Sequence, residues 1–416
     1  MKPVDRSLFL DRFLTYVKFD TQSSEESDTY PSTLKQLELS KHLVKELKDL
    51  GLEDVELTEH GYVFATLPAN VDHPVPVIGL IAHVDTSPEV SGAGVNPVIH
   101  ENYQGGDIVL PADTSQVIEY RNNPDLKNCI GHDIITTDGT TLLGADNKAG
   151  IAEIMGALTY LIQNPEIKHG KIRVAFTVDE EVGTGTEHFD VKHFGADFAY
   201  TIDGEAAGEI EDETFCADTA IVKVKGVNVH PGYAKGKMIN GIKIAAEFID
   251  RLPKNSNSPE TTEGREGYLH PHAIKGGVEL TEITFLVRDF TVEGLKEREK
   301  LLAHIARELS DKYNPASVEM EVKESYRNMK YKIDEHPEVV EYALEAVRRS
   351  GLEPKKNLIR GGTDGARLSY MGLPTPNVFT GGHNFHSQKE WISIQDMEKA
   401  VETIVNLLQI WEEKSR

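Results

Sequence analysis

An α/β fold in two parts is what this sequence predicts: a mostly parallel sheet flanked by helices, interrupted by an inserted α+β module of split βαβ, ferredoxin-like order. Strand-like and helix-like segments alternate through the first half of the 416-residue chain. From about Thr214 the order becomes β-α-β-β-α-β, and helical patterning returns after the insert. The length favours two domains over one core. The expected division is 1–214 with 326–416 for the α/β part, and 215–325 for the insert.

The opening stretch MKPVDRSLFLDRFLTYVKFD places apolar residues every three or four positions among mixed charges. It reads as an amphipathic helix and not a signal peptide. Leu34, Leu37, Leu43, Val44, Leu47 and Leu50 mark one face of a helix that Gly51 ends. Val75 to Ala82, Lys171 to Val178 and Phe198 to Ile202 read as buried strands. Ile151, Ile154, Met155, Leu158, Leu161 and Ile162 form a helical stripe after the GADNKAG loop.

In the insert, Thr219 to Val227, Tyr268 to Ile274, Val278 to Val287 and Ser317 to Val322 read as strands. Ile239 to Ile249 and Glu293 to Leu309 read as helices between them. Helices near Pro337 to Arg349 and Ile394 to Trp411 complete the α/β part.

Composition is that of a soluble globular chain, 39% hydrophobic and 27% charged, with no apolar run near membrane-spanning length. The net charge of -24, from 44 basic and 68 acidic residues, argues against a nucleic-acid partner and reads as solubility. Two cysteines, Cys129 and Cys216, make neither a disulfide framework nor a thiolate cluster, so a cytoplasmic location is expected.

His, Asp and Glu gather at the carboxyl ends of strand-like runs, the edge where open α/β sheets hold their sites. These places are IGLIAHVD with His83 and Asp85, LLGADNKAG with Asp146, TVDEEVGTGT with Glu180 and Glu181, TIDGE with Asp203, and the late GGHNFHS with His383 and His386. Singly, each fits a plainer reading: surface hydrogen bonding, a helix cap, a solvated acidic pair. Together they offer nitrogen and oxygen donors without thiolate, a set that suits zinc, manganese or cobalt better than calcium. The excess of acids suits two metals sharing one carboxylate, and leaves an acid beside the ligands as a general base.

At these residues the sequence resembles the two-zinc exopeptidases, which include glutamate carboxypeptidase, and most closely their peptidase T side, the tripeptide aminopeptidases. AHVDTSP, LLGADNKAG, FTVDEEVGTG, TIDGE, NVHPGYAKGKMING, RGGTDGARLS and NFHS run in family order over nearly the whole chain. The resemblance implies a zinc-exopeptidase catalytic domain and an inserted lid or dimerisation domain. It implies two Zn2+ per subunit, with Co2+ or Mn2+ as substitutes. His83 and Asp203 would hold one metal, Glu181 and His386 the other, and Asp146 would bridge them. Asp85 would orient His83, and Glu180 would be the general base. His230 would donate to the oxyanion, often from a partner subunit, and Arg288 would grip the substrate carboxylate. Arg360 and Asn240 are weaker substrate-binding candidates.

Tyr233, Ser387 and the competing His383 depart from the pattern. Asp179 receives no role, and His270 and His272 none with metal. The activity implied is release of the N-terminal residue from tripeptides. Carboxypeptidase, dipeptidase and N-acyl amino acid deacylase share the same ligands, and a non-catalytic binding protein is the alternative of another class. The insert's sheet edge permits a homodimer.

Overall fold

The structure is a computed structural model and describes residues 2–416. Contacts divide the chain into two compact units. The first runs to Asp212 and takes in Met329–Leu358 and Thr363–Arg416; the second is Glu213–Asn328 with Ile359–Gly362.

An eight-stranded sheet organises the first unit, in the order Glu53–Leu57, Val63–Leu67, Ile172–Thr177, Ile78–His83, Phe198–Gly204, Asn377–Phe379, Glu209–Thr214 and Lys355–Ile359. Parallel pairing joins the four central strands. The sheet is mixed, because Val63–Leu67 and Glu209–Thr214 add antiparallel neighbours on either side. Ile78–His83 and Ile172–Thr177 are buried throughout, as strands covered on both faces must be.

The helix Ala145–Gln163 lies against Ile78–His83 and Phe198–Gly204, and nearly all of it is buried. Its apolar residues therefore go all the way round instead of forming a single stripe. Gln36–Asp49 is amphipathic, burying Leu39, Leu43 and Leu47, and Gly51 takes the left-handed conformation that ends it. The N-terminal amphipathic stretch forms a 3-10 turn, Arg6–Leu8, and a short helix, Leu10–Tyr16.

A second sheet of four very short strands, Gly382–His383, Trp391–Ser393, Ile134–Thr136 and Val98–His100, was not foreseen. Runs of two or three residues carry no readable alternation.

The second unit has the split βαβ arrangement. Its antiparallel sheet runs Tyr268–Gly276, Leu280–Asp289, Cys216–Lys225, Ser317–Tyr326. Gly241–Asp250 and Val292–Lys312 pack on it. Leu295, Leu302, Ile305 and Leu309 are the buried face of the longer helix; each such leucine or isoleucine contributes about 2 kcal/mol when covered. No described helix is long and apolar enough to cross a membrane.

Candidate metal centre

The carboxyl ends of the central strands bring together residues that are far apart in sequence. His83 closes its strand, Asp203 sits near the end of the next, Glu180 and Glu181 follow Ile172–Thr177, and Asp146 begins the buried helix. A loop after Gly382–His383 delivers His386.

Asp146 stands at the middle. Its Oδ1 is 2.9 Å from His83 Nε2, and its Oδ2 is 3.1 Å from His386 Nε2. His83 Nε2 is also 3.4 Å from Asp203 Oδ1, and His386 Nε2 is 2.9 Å from Glu181 Oε2. The donors thus form two groups of three that share Asp146: His83, Asp146 and Asp203, and Asp146, Glu181 and His386.

Local structure fixes each of these groups. Gly150 is required where the helix meets the strand of Asp203, since a Cβ there would lie 1.9 Å from the Ile202 carbonyl oxygen. Beneath Asp146, the buried Glu390 carboxylate accepts N–H bonds from Leu143 at 2.7 Å, Gly144 at 2.8 Å and Asp146 at 3.0 Å. His83 turns its Nδ1 to the Asp85 carbonyl at 3.0 Å, with the Asp85 carboxylate at 3.3 Å. A donor Nδ1–H leaves the Nε2 lone pair facing the centre. The Asp85 carboxylate also accepts the N–H groups of Glu180 at 3.1 Å and Glu181 at 3.2 Å, tying two strand ends together.

His386 has φ +59°, a conformation that non-glycine residues adopt only when their surroundings hold them there. Glu89 Oε2, 2.8 Å from its Nδ1, is one restraint. Asp179, also left-handed at φ +57°, is clamped by the Ser32 N–H at 2.6 Å and Gln36 Nε2 at 2.6 Å, and accepts from the Ser32 hydroxyl. Its part is structural: it fixes the turn that sends Glu180 and Glu181 into the site.

The electrostatics of the centre are out of balance. Burial raises the pKa of Glu181, and Asp146 adds to the rise; burial likewise raises Asp203 and Glu180. Burial works against charge on His83 and His386. Asp203 and Asp146 outweigh it at His83, Asp146 and Glu181 outweigh it at His386, and both imidazoles are pushed well up. The centre therefore draws protons in to balance its acids. Glu181 Oε1 is buried without a hydrogen-bond partner among the described residues. A shared carboxylate, nitrogen and oxygen donors, and an orphaned buried oxygen fit a pair of divalent cations.

Other predicted residues have assignable surroundings. His383 stacks on Trp391 with centroids 4.1 Å apart and belongs to neither group; burial lowers its pKa. In the second unit, His230 is exposed and its Nδ1 accepts the Gly232 N–H at 3.1 Å, capping the turn at Pro231–Tyr233. Tyr233 is 76% exposed. Arg288 donates to the carbonyls of Val287 at 3.0 Å and Asp218 at 3.2 Å, over the Tyr326 ring. Asn240 Oδ1 caps the helix Gly241–Asp250 through the Ile242 N–H at 2.9 Å. Arg360 is engaged by the Gly264 and Glu266 carbonyls at 2.7 and 2.9 Å and by Thr262 Oγ1 at 3.0 Å.

Glu89, Glu390 and Asp364 escaped the sequence reading. Asp364 is buried, accepts from the Thr177 hydroxyl at 2.8 Å, and gives its N–H to Glu180 Oε1 at 3.3 Å. It lies inside the quoted RGGTDGARLS segment, which was the available signal; the two glutamates stand in loops with no spacing to mark them.

Residues 138–410 match the description of peptidase family M20/M25/M40. The chain is 54% identical over 406 residues to "Peptidase T" of Geobacillus sp. strain WCH70, covering 98% of this chain and 99% of the relative. Among solved structures it is similar to an aminopeptidase PepT from Bacillus cereus, with a TM-score of 0.75, 24% identity and coverage of 98% and 99% of the two chains. It is also similar to a Bacillus subtilis protein described as a dinuclear metal binding peptidase of the M20 family, with a TM-score of 0.65, 16% identity and coverage of 97% and 98%.

Proposed function

The chain belongs to peptidase family M20/M25/M40 and is a peptide hydrolase, and on that premise we propose that it is a two-zinc aminopeptidase releasing the N-terminal residue from tripeptides. The observation that carries the reading is Asp146, each of whose oxygens faces a different histidine that is paired with its own carboxylate.

His83 and Asp203 would hold one cation, Glu181 and His386 the other, with Asp146 between them. When bound, the cations supply Lewis acidity and lower the pKa of water toward neutrality. Glu180 accepts the proton of the attacking water and returns it to the leaving amine, a step worth about 10²–10⁴ in rate. The Asp364 N–H holds one Glu180 oxygen, and Asp85 fixes the backbone of Glu180 and Glu181. Substrate binding by His230, Arg288, Arg360 and Asn240 is part of the proposal and rests on the sequence resemblance. Residues 1–214 with 326–416 would be the catalytic domain, and 215–325 a lid or dimerisation domain.

The preference for tripeptides is supported by the HPG-AKG segment at 230–236, which resembles the tripeptide aminopeptidases of the family. Both cysteines are free and buried, which supports a reducing cytoplasm as its location.

The test is product analysis by mass spectrometry with a simple tripeptide and its N-acetylated form, with zinc and then with chelator. Release of the first residue from the free tripeptide alone, lost on chelation, is expected. Cleavage of the acetylated form, or release of the last residue, would move the reading to deacylase or carboxypeptidase.

A further inference from the structure

Behind the loop that carries His386, the first unit holds a second set of ligand-type side chains. Cys129 and His132 sit on one turn, closed by the His132 N–H to the Cys129 carbonyl at 3.0 Å. Asp396 lies in the first turn of the helix Ile394–Glu413. Cys129 Sγ donates to Asp396 Oδ2 at 3.6 Å, and His132 Nδ1 is 3.9 Å from Asp396 Oδ1. His132 Nδ1 also meets the Ser393 hydroxyl at 2.8 Å, and Ser393 Oγ accepts the Asp396 N–H at 3.2 Å.

We propose that Cys129, His132 and Asp396 form a separate binding site for one thiophilic divalent cation, Zn2+ or Co2+ by class, distinct from the centre at Asp146. Metal–ligand bonds of about 2.3 Å to sulfur and about 2.0 Å to nitrogen or oxygen, arranged tetrahedrally, place donors about 3.3–3.5 Å apart. The 3.6 and 3.9 Å separations run to different oxygens of Asp396, and one donor atom from each of the three residues lies within 4.8 Å of the others, so side-chain rotation has to draw them together to reach that. Thiolate, carboxylate and neutral imidazole together balance a dication, so the loaded site carries no net charge, which suits its burial. Binding breaks the Cys129 S–H bond and releases that proton to solvent, with no oxidant or reductant involved. His132 Nδ1 exchanges its bond to Ser393 for the metal, and Ser393 keeps its cap on the helix.

Two further features point the same way. A pocket of about 360 Å³, lined by Cys129, His132, Asp396, Asp125 and His383 among others, gives an entry path and room for water as a fourth ligand. Close by, Glu153 is fully buried and neither of its carboxylate oxygens has a hydrogen-bond partner among the described residues. Burial raises its pKa, and the charge of Asp396 raises it further. A cation on Asp396 relieves that repulsion.

The site would brace the Cys129–His132 turn against the strand Trp391–Ser393, whose Ser393 pairs with Ile134 and whose neighbour is Gly382–His383. That small sheet is the root of the loop bearing His386 and Glu390.

The test is anaerobic titration of the stripped full-length protein with Co2+, followed by absorbance. The centre at Asp146 has no thiolate ligand, so a thiolate-to-cobalt charge-transfer band in the near ultraviolet reports this site alone. One equivalent of band-forming cobalt is expected, absent in Cys129→Ser and retained in Cys216→Ser. Asp396→Asn keeps the thiol and should weaken the band-forming step by at least the roughly 10–100-fold seen when even an outer partner of a metal site is lost. No band in the wild type, a band that survives Cys129→Ser, or undiminished affinity in Asp396→Asn would each overturn the proposal. None of these readouts depends on peptidase activity.

Discussion

In the second unit, Asp218 is buried and is met by Arg327 at 2.7 Å and by Lys296 at 3.4 Å. In the first, Asp146 is met by two imidazoles, and Glu181 and Asp203 share those same rings. Asp146 and Asp218 are both held below the ordinary carboxylate range by their partners, and the difference lies in the acids that share those partners. Burial disfavours the charge on Asp218, but the hydrogen bonds and cations around it hold its pKa below the ordinary 3.8. At the strand ends, burial and mutual repulsion hold Glu181 and Asp203 above their usual range. A chain that builds a buried acid for structure supplies the countercharge from Arg and Lys. Where it leaves the countercharge out, it leaves room for one from solution.

Glu180→Gln should produce the largest effect: kcat falls about 10²–10⁴-fold, while metal content by elemental analysis stays at the wild-type value. A parallel loss of metal would make Glu180 a ligand and not a base.

Arg327→Met removes the countercharge in the other cluster and should cost on the order of 3 kcal/mol in denaturant unfolding, without changing metal content. The sign of the pH dependence follows from the depressed pKa of Asp218. Its contribution is complete above the ordinary value of 3.8 and fades as pH falls through the folded value, so the gap between variant and wild type should narrow in acid. A gap that stays constant as pH falls would show that Arg327 stabilises by packing alone.

Glu89→Ala acts through His386 Nδ1 and should weaken metal binding about 10–100-fold, read by competition with a chromophoric chelator. Metal uptake by the wild type should also strengthen as pH rises, because cations displace protons from Glu181, Asp203 and both histidines. Uptake independent of pH would mean that the ligands lie elsewhere.

Asn240→Ala should be the smallest, about 1 kcal/mol from loss of a helix cap. Asn240→Ser should restore stability and leave KM unchanged if capping is all that Asn240 does, whereas a raised KM in both variants would mark a substrate contact.

Much of the centre was legible because its residues lie at the ends of apolar runs. A buried strand that stops at His83, or at the Glu180–Glu181 pair, is conspicuous in sequence. The inserted module was legible by its change of rhythm. Glu89, Glu390 and Asp364 were not, since their significance depends on loops folding back onto atoms far away in the chain: Glu390 on the Leu143, Gly144 and Asp146 amides, Glu89 on His386. The antiparallel flanks of the large sheet were missed for a similar reason, as strand direction is set by connections and not by local pattern. Asp179 could be read only once Ser32 and Gln36 were seen to clamp it.

Zinc titration of the stripped protein by calorimetry, in the Cys129→Ser background with and without Asp146→Asn, tests the shared carboxylate directly. Two equivalents should bind with proton release when Asp146 is present, and the double variant should lose at least one of them. Two equivalents bound with equal affinity in both proteins would contradict a centre built around Asp146.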